Sequence, residues 1–369
     1  MTSVIVIGAG IVGTSLTYHL ARAGASVILV DAGRPGGGTS MATLAWVNAL
    51  TRRPETYFRL SQRAMSEHRA LERELSGRWI QGNGCLEWGA DAVEQQELSD
   101  RIDLLQRWGY AAERVPTADA IDRIEPQLRL DPAEVPWVGW FSDDQFVQVN
   151  RIIAAQLADA RTRGATLESD AEVVGVLRDG GSVRGVVLGD GRELTADHVV
   201  VTAGHRTPAL ADLFGAALPM HPEPGLILVT EPAPTTLRGV IRAPGLELRH
   251  DGGGRILISA LFSEPGLTLD GPPAIDAPVA QEALARAIAL VDGLQGVRLE
   301  TVRLGIRPMP EDGRPLVGPV PGADGAYVIT THSGVSLGPL LGRLVTRELL
   351  TGEAVEELGH YRLDRPTEV

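Results

Sequence analysis

The first 31 residues contain the pattern that most constrains the fold of this chain. Residues 3–7 form a short, β-branched apolar run, which predicts a strand buried on both faces of a parallel sheet. This run leads into Gly8-x-Gly10-x-x-Gly13, and apolar positions at helical spacing extend from residue 11 to residue 22. Residues 27–30 predict a second buried strand, which ends at Asp31. The order predicts a right-handed strand-helix-strand unit.

This unit predicts a binding site for the pyrophosphate of a dinucleotide. The three-glycine pattern alone is weak evidence, since 43 of the 369 residues are glycine, but its place between a strand and a helix is specific. Gly8 permits the tight turn, Gly10 lets the backbone approach the phosphates, and Gly13 lets the helix pack on the strand. Asp31 is expected to bind a ribose diol. NAD and FAD both remain open, and the competing interpretation is a solvated, glycine-rich turn.

Charge and composition exclude several classes of function. Acidic residues number 47 and basic residues 34, a balance that disfavours nucleic acid and anionic lipid surfaces as partners. Every basic residue is arginine, which excludes lysine Schiff-base chemistry. Cys85 is the single cysteine, no Cys/His cluster has metal-ligand spacing, and no apolar run approaches the ~18 residues that span a bilayer. We therefore expect a cytoplasmic protein without a metal site or a membrane span.

The rest of the chain alternates between helical and strand patterns. Helices are predicted at residues 54–76, 91–108, 150–163 and 280–291, the third of them capped by Asn150. Turn signals divide residues 172–202 into a predicted three-stranded meander, whose last strand covers residues 193–202, and residues 225–262 predict antiparallel hairpins. Because nucleotide-type elements lie at both ends with antiparallel elements between them, we predict an α/β fold with two interleaved domains.

A strand near the carboxyl end carries a candidate anion-binding group. Residues 302–307 alternate, so Arg303, Gly305 and Arg307 share one face of the predicted strand. The glycine between the two arginines is expected to leave room for a ligand. Arg307, on a strand whose exit is stiffened by prolines, is suited to bidentate capture of a carboxylate. A surface ion pair is the alternative interpretation of either arginine.

Several motifs together resemble the D-amino-acid oxidase, glycine oxidase and sarcosine oxidase family of flavoenzymes. The N-terminal fingerprint with its acidic strand end is shared with that family. Further similarities are a basic, glycine-rich turn at 34–40, an acidic turn and helix at 143–157, a small-residue turn at 202–204, and the segments GIRP at 305–308, DGRP at 312–315 and THSG at 331–334. These motifs cover nearly the whole chain.

The resemblance implies a Rossmann-like FAD-binding domain interleaved with an antiparallel-sheet substrate domain. The first domain is expected at residues 1–80, 142–218 and 303–369, and the second at residues 81–141 and 219–302. FAD is expected to be noncovalent, because Cys85 lies in no flavin-attachment motif. The residues implied in cofactor binding are Gly8, Gly10, Ile11, Val12, Gly13, Asp31, Ala32, Arg34, Gly38, Thr39, Ser40, Val173, Val174, Thr202, Ala203, Gly204, Arg307, Gly334, Val335, Ser336 and Leu337.

Four residues are candidates for contact with the substrate. The resemblance implies that Arg307 binds a substrate carboxylate, and that the amides at 334–336 meet the N1/O2 edge of the flavin. It also places His332 in the same turn, where a catalytic and a structural role both remain open. Trp46 and Asn48 follow the glycine-rich turn, where the chain is expected to return toward the flavin, although Trp46 also suits an ordinary core position.

These features predict FAD-dependent oxidation of a small amine or amino acid at the carbon bearing nitrogen, giving an imine that is hydrolysed or passed on. The oxygen-activating lysine of sarcosine oxidase-like members is absent; Arg249 and His250 are candidates for that positive charge, with a solvated turn as the alternative. Three other functions remain open: a dehydrogenase that reduces a quinone or partner protein instead of O2, a non-catalytic flavin-carrying subunit, and an NAD-linked hydroxyacid dehydrogenase. The sequence does not specify the oligomeric state.

Overall fold

The computed structural model describes residues 1–366 and contains two large sheets. The first sheet has six strands, and its central strand pairs in parallel with a neighbour on each side. In spatial order the strands are β19 (Leu316–Pro319), β20 (Ala326–Thr330), β13 (His198–Val201), β1 (Ser3–Ile7), β2 (Ser26–Val30) and β9 (Thr166–Glu168). Only β19 runs antiparallel to its neighbour. The predicted α/β class is confirmed.

The N-terminal unit forms as the sequence predicts. Helix α1 (Ile11–Arg22) connects β1 to β2. Alternate residues of β1 enter two different cores, with Val4 and Val6 in one and Ile5 and Ile7 in the other. This double burial accounts for the unbroken apolar run of the strand.

The second large sheet has eight strands and is mostly antiparallel. In spatial order they are β18 (Leu299–Pro310), β14 (Met220–Thr230), β17 (Arg255–Ser259), β16 (Leu246–Asp251), β15 (Val240–Ala243), β5 (Cys85–Glu87), β7 (Trp137–Phe141) and β6 (Glu113–Pro116). Leu248 and Ile258 pack in one core with Ala283 and Leu284 of the helix at Pro278–Leu290. Side chains alternate between the two faces of the sheet. The other face includes residues of β14 and β18 that line the cavity described below.

Two three-stranded sheets and seven further helices complete the fold. One small sheet comprises β10 (Val173–Asp179), β11 (Ser182–Leu188) and β12 (Glu193–Thr195), and the other β3 (Trp46–Val47), β8 (Gln145–Val147) and β4 (Ile80–Gln81). The helices are α2 (Glu55–Glu74), α3 (Ala92–Arg107), α4 (Thr117–Asp119), α5 (Val149–Thr162), α6 (Thr207–Leu213), α7 (Pro278–Leu290) and α8 (Gly334–Thr351). Within residues 1–366, no helix is long and apolar enough to cross a membrane.

Two local predictions are wrong. Asn150 does not cap α5, because that helix begins one residue earlier, with Gln148 at the N-cap. The Gln148 N–H donates to the Trp79 carbonyl (3.0 Å), so a tertiary contact sets the start of the helix. The predicted strand at residues 193–202 is two strands, since β12 ends the meander while β13 pairs with β1. Asp197 marks the break, where its carboxylate accepts hydrogen bonds from the Ser3 N–H and hydroxyl (both 2.8 Å).

The strands divide between the two large sheets in an interleaved order. The six-stranded sheet takes its strands from residues 3–30, 166–168, 198–201 and 316–330, and the eight-stranded sheet takes its strands from residues 85–141 and 220–310. Strand β18 begins at Leu299 and continues through residue 303, where the sequence places a domain boundary. The boundaries of the two domains therefore stay a prediction.

Candidate functional site

A cavity of about 1210 Å³ is lined by residues of both large sheets. The cavity takes in the carboxyl end of β1, the turn after β2, the face of β14 and β18, and the start of α8. Most predicted site residues line it, namely Gly8, Gly10, Ile11, Val12, Asp31, Ala32, Arg34, Gly38, Thr39, Ser40, Trp46, Asn48, Val173, Val174, Thr202, Ala203, Gly204, Arg307, His332, Gly334, Val335 and Ser336. The fold thus brings together residues that lie up to about 330 positions apart in the chain.

Close packing of the glycine turn sets one end of the cavity. Gly8 has a φ of +106°, and a Cβ there would lie 2.7 Å from the Thr202 carbonyl oxygen. A Cβ on Gly13 would lie only 1.8 Å from the carbonyl oxygen of Gly8. Glycine is therefore required at both positions. Because neither residue has a side chain, the amino end of α1 can approach the cavity.

Gly13 and Leu337 are the two predicted cofactor residues that do not line the cavity. Gly13 contributes through the packing just described. Leu337 is fully buried in the core, and its N–H donates to the Ser333 carbonyl (2.9 Å) inside α8. Its predicted contact with the cofactor stays a prediction.

Asp31 lies beside the glycine turn with acceptor capacity to spare. Its carboxylate accepts hydrogen bonds from the Ala9 N–H (2.6 Å) and the Gly33 N–H (2.8 Å). An ionised carboxylate offers about four lone-pair sites, so two remain for a ligand. Asp31 both fixes the turn and presents a negative group to the cavity.

Arg307 also lines the cavity, and it already has protein partners. Its Nη2 lies 3.0 Å from Glu264 Oε1 and 3.3 Å from Glu223 Oε2, two glutamates that the sequence analysis missed. Its Nε is buried and has no partner among residues 1–366. Part of the guanidinium is thus free, while its charge is offset locally.

Gly305 lines the cavity beside Arg307 and also permits a close backbone approach. A Cβ at Gly305 would lie 2.2 Å from the Ala42 carbonyl oxygen, so only glycine fits where the turn at residues 39–42 meets β18. The turn at residues 39–42 is anchored there, since the Thr39 hydroxyl donates to the Ile306 carbonyl (2.6 Å). The turn at residues 39–42 therefore packs directly against β18.

His332 lies in the cavity as a neutral imidazole over the physiological range. Burial lowers its pKa to about 3, and the positive charges of Arg52 and Arg307 act in the same direction. A group with so low a pKa is a poor proton acceptor near neutral pH. His332 therefore lies near both cationic groups, of which Arg307 is paired with Glu264.

Trp46 is held in place by a buried carboxyl group. Its Nε1–H donates to Asp144 Oδ2 (2.9 Å), and the Tyr110 hydroxyl donates to Asp144 Oδ1. The same hydroxyl accepts a hydrogen bond from the Ala49 N–H (3.3 Å). Burial raises the pKa of Asp144 to about 8, although both hydrogen bonds act to lower it. The network fixes the cavity wall at residues 46–49.

Replacing Asp144 with asparagine is expected to change how stability depends on pH. A carboxyl whose pKa is raised by folding stabilises the native state at low pH and loses that contribution as pH rises toward its folded pKa. The wild-type protein should therefore lose stability relative to D144N by up to about 1.4 kcal/mol per pH unit between about pH 5 and 8. Urea unfolding across this range tests it. The matched control D143N alters an exposed neighbour, and parallel curves for wild type and D144N would contradict the prediction.

Arg249 and His250 do not line the cavity. Arg249 is buried, its Nε–H donates to the Leu44 carbonyl, and its Nη1 lies 2.9 Å from Asp251 Oδ1. The expected positive charge therefore does not come from this turn. Arg52 lines the cavity instead, and the sequence analysis missed it because no motif surrounds it.

Comparisons with known proteins agree on one family. A family model described as FAD dependent oxidoreductase matches residues 3–348. Glycine oxidase of Geobacillus kaustophilus is 28% identical over 98% of this chain and 96% of its own length. Glycine oxidase of Pseudomonas aeruginosa is 29% identical over 95% and 94% of the two chains. The crystal structure of the Geobacillus kaustophilus glycine oxidase superposes with a TM-score of 0.88, covering 99% of this chain and 100% of that one at 23% identity.

Proposed function

This chain belongs to the FAD-dependent oxidoreductase family, and we propose that it oxidises a small amine or amino acid at the carbon bearing nitrogen. The observation that carries the proposal is one cavity that runs from the glycine turn at Gly8 to Arg307 and His332. Residues that suit a dinucleotide and residues that suit a small acid thus line the same space. The relatives named glycine oxidase support an amino acid as the substrate.

The glycine-turn end of the cavity fits FAD, the cofactor of this family. Gly8 and Gly13 have no space for a Cβ, which is the close packing that a pyrophosphate over a helix N-terminus requires. The two unused acceptor sites of Asp31 suit a ribose diol. Helix α8 begins at the cavity with Gly334, Val335 and Ser336. The amides of this first turn have no partner within the helix, so they favour a negative charge nearby.

The remaining residues of the cavity position the substrate. We assign the substrate carboxylate to Arg307, whose Nε–H is unpartnered, and the walls to Trp46 and Asn48. FAD held at the glycine turn would supply the acceptor for a hydride from the carbon next to nitrogen. Holding that carbon in a single orientation contributes up to about 7 to 11 kcal/mol to lowering the barrier. Because its pKa is lowered to about 3, His332 is too weak a base to take the proton of the amine. The amine therefore loses that proton to solvent before it reacts. The imine product is hydrolysed or passed on.

The electron acceptor is a separate part of the proposal. The relatives named glycine oxidase favour O2, whereas the absence of lysine favours a dehydrogenase that passes electrons to a quinone or a partner protein. Stopped-flow reoxidation of the reduced enzyme in air separates the two. We also propose that the protein works in a reducing, cytoplasmic compartment, because its single thiol, Cys85, is buried and unpaired.

Anaerobic reduction of the bound flavin tests the proposed function. A panel of amino acids and amines should include compounds that bleach the flavin absorbance, at a rate that rises with pH through one ionisation. We assign that ionisation to the substrate ammonium, because the pKa of His332 is lowered to about 3. The pKa of Asp144, which holds Trp46, is raised to about 8, so D144N should keep the same pH profile if the assignment is right. A colourless protein would contradict the proposal, and so would a bound flavin that no member of the panel reduces. A flat rate between about pH 6 and about pH 9 would exclude the ionisation.

A further inference from the structure

A proline inside α8 leaves one backbone carbonyl of that helix without its usual partner. In a regular α-helix the carbonyl of residue 335 accepts a hydrogen bond from the N–H of residue 339. Residue 339 is Pro339, which has no N–H. The Val335 carbonyl belongs to the first turn of α8, beside the cavity. Because an acceptor without a partner costs free energy when it is buried, this carbonyl needs a donor from elsewhere in the chain.

His68 of α2 supplies that donor. Its Nε2 lies 2.9 Å from the Val335 carbonyl oxygen and 3.2 Å from the Ser336 carbonyl oxygen. The side chain is fully buried, and burial lowers its pKa to about 4, so the imidazole is neutral at pH 7 and carries one N–H. Both neighbours of Nε2 are acceptors, which assigns that hydrogen to Nε2. The Nδ1 atom is buried and has no hydrogen-bond partner among residues 1–366.

A second contact joins the same face of α2 to the start of α8. The Tyr57 hydroxyl lies 2.9 Å from the hydroxyl of Ser333, the N-cap residue of α8. Tyr57 and His68 are 11 residues apart, which is about three helical turns, so their side chains project from one face of α2. The Tyr57 contact reaches a side chain, whereas the His68 contact reaches the backbone of α8 itself. His68 is therefore the residue of α2 that fixes the peptide planes of this first turn.

The carbonyl that accepts the hydrogen bond from His68 shares a peptide unit with one of the free amides of α8. The Val335 carbonyl and the Ser336 N–H lie in one planar trans peptide and point in opposite directions. Ser336 lines the cavity, and its N–H is a first-turn amide with no acceptor within the helix. A hydrogen bond to the carbonyl holds the plane of this peptide and polarises its N–H. His68 thus acts on the cavity through the peptide, although it does not line the cavity itself.

We propose that His68 is a positioning residue for the flavin, which replaces the N–H that Pro339 lacks and orients the peptide between Val335 and Ser336 toward the flavin. The inference rests on the proposed function, and on the placement of the N1/O2 edge of the flavin at residues 334–336. Reduction adds negative charge at that edge, and a donor fixed there in advance stabilises the charge. Loss of the His68 donor should therefore shift the redox equilibrium of the bound flavin toward the oxidised form.

The equilibrium constant for reduction of the bound flavin tests the proposal, measured on the FAD-loaded full chain against a redox dye without oxygen. Gln and Met are a matched pair at position 68, because the two side chains have about the same length and only Gln carries an N–H. His68→Met should favour the oxidised flavin by about 3- to 10-fold, while His68→Gln should stay within about twofold of wild type. Equal constants for H68M and wild type would overturn the proposal.

Pro339→Ala separates the loss of a donor from a change in packing. Residue 339 then has an N–H that can donate to the Val335 carbonyl within α8. The chain that carries both H68M and P339A should therefore return to within about twofold of P339A alone, so the two effects should not add. If H68M loses FAD, P339A in the same chain should restore FAD binding. A defect of H68M that persists in the double variant would come from packing, and it would refute the role of the donor.

The dye titration uses no amine, so it is independent of the proposed reaction. A wild-type protein that holds FAD but oxidises no member of the amine and amino acid panel refutes the proposed function. The redox equilibria of H68M, H68Q and the double variant then still decide whether His68 positions the flavin.

Discussion

Replacing Gly13 with alanine is expected to give a protein that purifies without FAD. The new Cβ would lie 1.8 Å from the Gly8 carbonyl oxygen and 2.5 Å from Thr202 Oγ1, where carbon normally keeps about 3.5 Å from its neighbours. Helix α1 must then move away from the turn, and the amides that we propose as the diphosphate site move with it. The absorbance of the purified protein and the FAD released on denaturation measure the loss.

Two further glycine variants make this result interpretable. Gly181→Ala is the control, because a Cβ at Gly181 meets nothing within 4 Å, and it should retain FAD fully. Gly10→Ala is the milder test, since its Cβ would lie 3.1 Å from Ser40 Oγ, and it should weaken FAD binding while far-UV circular dichroism stays native. G13A with stoichiometric FAD would contradict the proposed placement of the diphosphate.

The elements that the sequence predicted well are those whose signals are local. Strand β1, the glycine turn, α1 and the position of Asp31 follow from burial and spacing within one unit of chain. The start of α5 was not predicted from its local sequence, because it is set by a hydrogen bond to Trp79, which lies about 70 residues away in the chain. The strand pattern at residues 193–202 is continuous in sequence, so it did not show that the chain leaves the three-stranded sheet and enters the six-stranded one. That change depends on the contact of Asp197 with Ser3.

The candidate site shows the same limit more clearly. Most of the residues that the sequence analysis predicted line the cavity, but the motifs carried no information on which charges are paired. Glu264 and Glu223 reach Arg307 only through the pairing of β14 with β18 and the turn after β17. Asp144 and Arg52 have no motif around them, and their roles depend on burial and on neighbours that are distant in sequence. Charge compensation is a property of the folded site.

Arg307→Ala should have the largest effect on catalysis among variants that keep FAD. The substitution removes a guanidinium from the carboxylate and leaves Glu264 and Glu223 unpaired nearby, so attraction is replaced by repulsion. We expect kcat/KM for amino acids to fall by about 100- to 1000-fold, equivalent to about 3 to 4 kcal/mol. Steady-state kinetics with glycine measure this, with rates expressed per bound flavin, because Arg307 is also among the residues predicted to bind the cofactor. Unchanged kinetics would remove Arg307 from the substrate site.

Glu264→Gln should have the opposite sign, which separates this account from a purely structural role of the ion pair. Glutamine keeps the shape of the side chain but frees the charge of Arg307, so acetate and glycine should bind about threefold to tenfold more tightly. In the double variant with R307A the like-charge repulsion is also removed, so part of the loss should be recovered and the two effects should not add. If E264Q instead weakens acid binding as strongly as R307A, the pair acts as a single structural unit, and Arg307 does not bind the carboxylate.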